Sequence, residues 1–351
     1  MDRSGVAILG YGRFGSALAD LVEEAGLPVR ALDIRLTVPE SRRVDDIPHL
    51  LADARFVFLA TPLGAFEAAL RSLRPHLQSS HIVIDVASVK EAPVAEMTRA
   101  LGDEVPWVAS HPLFGPSSIA LGERPLRVVV CPNPLQAAST DAVRCLYETI
   151  GCEVMVQDAS THDRVMAQTH ALAFFVAKGL LDMGTGDKQP FAPPSFQAMA
   201  RTIEAVRSDA GHLFLTIQRD NGYSSEARRA FLEALGSAHH QIEAWGEKPA
   251  GDAGALDIPN LGGQAPESRA PGELLEECDR ELIRLIARRA QIARRADRVG
   301  EVSGEAPRDP AGERALLDRR RSWAAQHDLE EEAVAQVFAA VLRSSDASLR
   351  G

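Results

Sequence analysis

Over roughly the first 155 residues, short apolar runs of strand length alternate with segments in which apolar positions recur every three or four residues. The runs lie at 6–9, 28–32, 56–60, 81–85, 107–110, 127–130 and 153–156. Alternation of this kind predicts an α/β fold, a doubly wound parallel sheet with helices on both faces. Beyond about Thr161 the strand pattern stops. Helical periodicity then fills 162–181, 195–206, 211–220 and 225–245, which reads as an all-α module. Residues 246–271 are rich in Gly, Pro and Ala with little periodicity, the composition of a linker. The last stretch predicts three helices, at about 272–299, 312–326 and 330–344. In the first of these Cys278, Leu282, Leu285, Arg289, Ile292, Ala296 and Val299 recur at steps of four and three, one sustained seam interrupted only by an arginine. Three helices with a seam of that length bury it poorly alone, so a homodimeric helical bundle is expected. The domains predicted are therefore 1–158, 159–245 and 272–351, with 246–271 between the last two.

The first strand and helix enclose Gly10-Tyr11-Gly12-Arg13-Phe14-Gly15. In a G-x-G-x-x-G turn the first glycine permits the tight turn and the second lets a pyrophosphate approach the backbone. The third lets helix and strand pack closely, and the helix N-terminus offers free N–H groups to phosphate. The second run ends in Asp33, eighteen residues past Gly15, where a carboxylate accepts from a ribose 2′-OH and repels a 2′-phosphate. NAD is the cofactor expected, although Arg35 nearby softens that preference. Thr61 and Pro62, at the end of the third run, form a turn beside the expected nucleotide.

Composition narrows the function classes. The 351 residues are 45% hydrophobic and 25% charged, ordinary values for a globular protein. The net charge of −11 argues against nucleic acid as a partner, because no basic excess neutralises phosphates. No apolar stretch reaches membrane-spanning length, so no membrane partner is expected. The first run begins at Val6, leaving no room for a signal peptide. Cys131, Cys145, Cys152 and Cys278 lack metal-ligand spacing, so no metal is expected and a reducing cytoplasm fits best.

Ligands of doubly wound sheets bind at the carboxyl ends of the strands. There the fourth run ends in Asp85-Val86-Ala87-Ser88-Val89-Lys90, placing a hydroxyl and an ammonium at the cleft mouth. The fifth ends in Ser110-His111-Pro112-Leu113-Phe114-Gly115-Pro116. A histidine beside a nicotinamide can serve as a general base near neutral pH; the alternative is a structural histidine bonded to a loop carbonyl. Arg201 and Arg207 in the helical module are candidate carboxylate clamps, since guanidinium binds carboxylate bidentately, or else parts of a solvated helix face.

Together with His162-Asp163 and Met166-Ala167, these motifs resemble the prephenate dehydrogenases over about residues 4–245. The resemblance implies a Rossmann-like domain and NAD-dependent oxidative decarboxylation of prephenate to 4-hydroxyphenylpyruvate, a small-molecule substrate. His111 would take the ring hydroxyl proton, Ser88 would help to hold His111 or the hydroxyl, and Lys90, His162, Gln168 and Arg201 or Arg207 would contact substrate. Many members of the family carry a second histidine about where Phe174 stands, and a tyrosine near Phe214. Their loss leaves arogenate or an amino analogue such as 4-amino-4-deoxyprephenate as alternatives. A non-catalytic nucleotide-sensing protein is the alternative of another class.

Residues 272–351 resemble the helical chorismate mutases, through Cys278-Asp279-Arg280-Glu281-Leu282-Ile283, Arg288-Arg289 and Arg308-Asp309-Pro310 with Glu313-Arg314. Arg289, Asp309 and Glu313 match ligand-binding positions of that family. Gly272, Gly300 and Leu349 stand where an arginine, a lysine and a polar residue are usual, which puts mutase activity in doubt because its transition state needs those cations.

Overall fold

The computed structural model describes residues 5–120, 123–185, 191–208, 212–246, 270–303 and 310–347. Each of the seven apolar runs forms a strand: β1 (Gly5–Leu9), β2 (Val29–Leu32), β3 (Ala54–Leu59), β4 (Ile82–Asp85), β5 (Trp107–Pro112), β6 (Leu126–Cys131) and β7 (Cys152–Val156). They make one sheet of order β2-β1-β3-β4-β5-β6-β7. The first five strands are mutually parallel. The sheet is parallel-dominated, as expected; β6 pairs antiparallel with β5, and β7 follows β6 in the reversed direction. The connection from β5 to β6 holds one five-residue helix, α5 (Pro116–Ala120), and returns at the same end of the sheet. It lacks the crossover that a parallel pair needs.

Between β1 and β3 the strand order reverses, which opens a crevice outside the carboxyl ends. Helices α1 (Arg13–Glu24) and α6 (Ala137–Thr149) cover one face, and α2 (Ile47–Leu51), α3 (Phe66–Leu73) and α4 (Glu91–Leu101) the other. Alternate strand residues feed two cores: Val6, Ile8 and Phe58 meet Leu18, Leu21 and Tyr147, while Ala7, Val57 and Leu59 meet Leu70, Leu73 and Met97. Burial on both faces is why these strands read as continuous apolar runs.

Asp158 caps the next helix, its side chain accepting from Thr161 N at 2.8 Å. That helix is α7 (Ala159–Met166), which passes through π-helical turns at Ala167–Ala171 into α8 (Leu172–Asp182). Then come α9 (Pro194–Ser208), α10 (His212–Leu215) with a further π-helical stretch at Thr216–Asp220, and α11 (Ser224–Gly246). Phe174, Ala177, Ile203, Val206 and Ile217 form a small core among them.

The chain divides into two compact units, the sheet with these helices being the first. The second contains α12 (Pro271–Ser303), α13 (Pro310–Ala325) and α14 (Glu331–Ala347). Within it Ala293, Ala324, Ala335, Val341 and Leu342 are buried. Leu282, Leu285 and Ile292 of the expected seam are instead 57%, 56% and 47% exposed in the single chain, so three helices do not cover it. Arg289 is half-buried in this unit. Most of the linker expected at 246–271 lies outside the described residues, as do Asp309, Leu349, the surroundings of Gly300 and the side chain of Glu313.

Candidate active site

The glycine turn is built as a cradle. A Cβ on Gly10, whose φ is +101°, would stand 2.5 Å from Ala60 O, and one on Gly15 would stand 2.1 Å from Gly10 O. Neither position admits a side chain without moving backbone. A Cβ on Gly12 meets nothing within 4 Å, so open space lies over the start of α1. Phe14 packs against Phe114, with ring centroids 6.1 Å apart. Tyr11 N donates to Asp33 Oδ2 at 2.7 Å, tying the turn to the end of β2. Arg35 N and Leu36 N donate to Asp33 Oδ1. Partial burial opposes the charge on Asp33, but these three amides hold its carboxyl below the usual range. The Tyr11 hydroxyl accepts from Arg42, which also pairs with Asp20 and Glu23. Beside Asp33 a cavity of about 410 Å³ is lined by Leu32, Leu36, Thr37, Val38, Arg43 and Asp45, among others. At the end of β3 the Thr61 Oγ1 is buried with no hydrogen-bond partner among the described residues. Pro62, next to it, opens a short turn at Leu63–Ala65. An orphaned hydroxyl, a closed pair of glycines and an open third fit a dinucleotide.

The two kinds of glycine predict different failures. Gly15→Ala should lower stability by about 1–3 kcal/mol, the usual cost of overpacking. Gly12→Val should leave the melting temperature within a degree or two of the parent, since the added side chain meets no protein atom. It should, however, weaken dinucleotide binding in calorimetry at least tenfold, by filling the space a pyrophosphate needs. Equal binding by parent and Gly12→Val would place the nucleotide elsewhere.

At the carboxyl edge of β5 the structure assembles a second constellation. His111 lies within the strand, opposite Val129 of β6, and is 4% exposed; the strand runs two residues further than expected, to Pro112. His111 Nδ1 is 2.9 Å from His162 Nε2, and His162 Nδ1 is 2.8 Å from Asp163 Oδ1. Asp163 also accepts from Lys90 N at 2.8 Å and Glu91 N at 2.9 Å, so it caps α4. His170 lies nearly parallel to His111 at 6.2 Å, and its ring meets Phe174 edge-on at 4.6 Å. Eight residues overshoot two α-turns of about 7.2 residues. The wider π-helical turns at Ala167–Ala171 absorb the surplus, bringing His170 to the face that His162 presents to His111. Burial, with His162, Lys90 and His170 nearby, lowers the His111 pKa well below the ordinary histidine value.

Several expected roles change. Lys90 is not at the cleft mouth. It is fully buried, with Nζ donating to both Asp85 carboxylate oxygens at 2.6 Å and to Ser110 O. These three bonds use the three donors of the ammonium, so none is left for substrate. The Nδ1 partner of His111 is His162 rather than Ser88, whose half-buried hydroxyl has no hydrogen bond among the described residues. His162 therefore faces His111 and Asp163, not a ligand. Gln168 is exposed on the same helix. Arg201 and Arg207 lie on the exposed side of α9, whose buried residues are Ile203 and Val206, and Arg207 pairs with Glu204. Sequence reading missed the roles of Asp163 and His170. Histidines eight apart with a phenylalanine four further on were the available signal.

In the second unit Arg320 lies over the rings of Trp323 and Phe338. Partial burial and the neighbouring Arg319 and Arg289 lower its pKa. Arg289 thus faces a further cation.

A crevice at the switch point and a glycine cradle fit a dinucleotide-binding fold, with His111 as a candidate proton acceptor at the strand ends. Residues 30–156 match the family model for the nucleotide-binding domain of prephenate dehydrogenase, and residues 273–347 that of chorismate mutase type II. The chain is thus similar, over its sheet domain, to the nucleotide-binding domain of prephenate dehydrogenases and, over its C-terminal helices, to chorismate mutases of type II. A probable arogenate/prephenate dehydrogenase of Methanocaldococcus jannaschii is 26% identical over 186 residues, which are 50% of this chain but only 41% of that protein. Arogenate dehydrogenase 2 of Arabidopsis thaliana is 27% identical over 250 residues, 68% of each chain. The crystal structure of prephenate dehydrogenase from A. aeolicus, in complex with hydroxyphenyl propionate and NAD+, is similar in fold with a TM-score of 0.57. It is 20% identical, with 71% of this chain and 93% of that one covered.

Proposed function

We propose that the protein catalyses NAD-dependent oxidative decarboxylation of a cyclohexadienyl substrate, prephenate, to 4-hydroxyphenylpyruvate. The observation that carries this reading is His111, buried and held neutral at the carboxyl edge of the sheet that also presents the glycine cradle. The hydride acceptor for the ring carbon that bears the hydroxyl would be supplied by bound NAD+. Gly10, Gly12 and Gly15 would seat the pyrophosphate, Asp33 the ribose and Thr61 a polar group of the dinucleotide. His111 takes the hydroxyl proton, and loss of the ring carboxylate as CO2 makes the ring aromatic. Aromatisation supplies the driving force, so the protein has to orient two reactants and manage one proton.

A second reading, arogenate or a 4-amino analogue, is favoured by Phe174. It lies in the small helical core at 8% exposure, so an apolar ring stands where many family members carry a histidine. Gly272 and Gly300 support a C-terminal domain without mutase turnover. The exposed Leu282, Ile283, Leu285 and Ile286 of α12 support a homodimer. The four free cysteines support a reducing compartment such as the cytoplasm.

The test supplies prephenate, arogenate, 4-amino-4-deoxyprephenate and chorismate separately, with NAD+ or NADP+, and follows reduced nicotinamide. Prephenate with NAD+ should turn over, and chorismate should do so only after a separate mutase is added. Turnover of arogenate or the amino analogue alone would select the second reading. Silence with all four would overturn both.

A further inference from the structure

We propose that Asp163 and His162 form a tautomer relay that sets the protonation pattern of His111 and leaves its Nε2 bare to receive the substrate proton. This assignment rests on His111 as the base of the reaction above and adds two positioning residues to it. With Asp163 ionised and both histidines neutral, donors and acceptors fix the pattern. An ionised carboxylate only accepts, so at 2.8 Å from Asp163 Oδ1 the His162 Nδ1 must carry hydrogen. Neutral His162 then has a lone pair at Nε2, and the nitrogen 2.9 Å away, His111 Nδ1, must donate to it. Neutral His111 with hydrogen on Nδ1 has none on Nε2. No described residue bonds that Nε2, which leaves it as the proton acceptor.

The relay is anchored from both sides. Asp163 is 1% exposed and is fixed by the amides of Lys90 and Glu91 at the start of α4. Asn221 Nδ2 donates to the Asp163 carbonyl at 2.8 Å, holding the backbone of α7 in place. Asp163 therefore cannot turn away without uncapping α4. In the reaction His111 Nε2 forms a bond to the hydroxyl proton as the O–H bond breaks. The ring then becomes imidazolium and its Nδ1–H bond to His162 tightens, while Asp163 stabilises the charge through His162. The proton returns to the ring oxygen once CO2 has left, so none is consumed.

Asp163→Asn tests the relay with almost no change in shape. Oδ1 accepts from both His162 Nδ1 and Lys90 N, and Oδ2 from Glu91 N; the asparagine that keeps its oxygen on Glu91 N gives up the Lys90 amide and turns its NH2 group to His162 Nδ1. That makes Nδ1 the acceptor, puts hydrogen on His162 Nε2 and so on His111 Nε2. Expected is a loss in kcat of at least about 100-fold, the scale of a missing general base, with KM little changed. The decisive readout is ¹⁵N NMR of histidine-labelled full-length protein, without substrate. In the parent, His111 should show a protonated Nδ1 and an unprotonated Nε2, and in Asp163→Asn the reverse. His162→Phe, which keeps the ring volume and removes the bond, should leave His111 a mixture of tautomers and covers the case in which Asp163→Asn does not fold. A protonated Nε2 in the parent, or an unchanged His111 spectrum in His162→Phe, would overturn the relay. Because the spectrum needs no substrate, its outcome does not depend on whether prephenate is turned over.

Discussion

Replacing His111 by asparagine is expected to lower kcat by about 10²- to 10⁴-fold, the range a general base contributes, while dinucleotide affinity and KM stay nearly constant. The asymmetry follows from where the residue sits. His111 lies at the carboxyl edge of β5, whereas the glycine cradle opens from β1, so removing the imidazole deletes the proton acceptor without touching the nucleotide seat. The same substitution has a thermodynamic signature. Burial with three cationic or titratable neighbours lowers the His111 pKa in the fold, whereas in the unfolded chain it titrates near about 6.5. Below that pH the unfolded chain binds the extra proton and the folded protein does not, so this group favours unfolding as pH falls. The slope is about 1.4 kcal/mol per pH unit for one proton, ending at the depressed folded pKa, and above about 6.5 it vanishes. His111→Asn lacks this proton. Its stability relative to the parent should therefore rise between about pH 6.5 and 5.5 in paired urea titrations. A difference independent of pH would show that His111 titrates normally in the fold.

The pattern of apolar positions was enough to locate all seven strands, because strands buried on both faces leave an unbroken apolar signature. The alternation with helices gave the parallel direction of the first five strands, but the reversal at β6 depends on a connection whose path no periodicity encodes. The helical boundaries were legible to within a few residues, but the π-helical turns at Ala167–Ala171 were not, and they bring His170 to His111. The glycine turn could be read because its chemistry is local: each glycine answers to backbone within a few ångströms. His111 could be read because a histidine at a strand end is rare among apolar neighbours. Its partners could not, since His162 and Asp163 approach from a helix about fifty residues further along the chain. Lys90 is the instructive exception. A lysine after a strand end is ordinarily solvated, and only the fold reveals that Asp85, five residues earlier, turns its carboxylate inward to meet it.

That pair carries the largest expected effect on stability. Lys90 and Asp85 are both fully buried, and burial alone would push the Asp85 carboxyl far above its usual range. The Lys90 ammonium opposes that shift, as do Ala87 N at 2.8 Å and Ser110 N at 3.1 Å. Lys90→Met keeps most of the volume but leaves a carboxylate in the interior without its counter-charge, and also strips the Ser110 carbonyl of its ammonium donor. Breaking a buried pair in this way costs about 3–5 kcal/mol, several times the effect of an exposed pair such as Arg30–Asp53. Urea unfolding of Lys90→Met, followed on the transition of the sheet-containing unit, should show that loss. The double variant Asp85→Asn/Lys90→Met removes both charges and should recover a substantial part of it, because the penalty lies in the orphaned charge rather than in the lost attraction. If the double variant were as unstable as the sum of the two singles, the pair would matter for packing and not for charge. The location ties this energy to the chemistry. Lys90 Nζ holds the Ser110 carbonyl, one residue before His111, while its amide binds Asp163. The ion pair therefore fixes β5 and the start of α4 against α7, the three elements whose spacing sets the contact between His111 and His162.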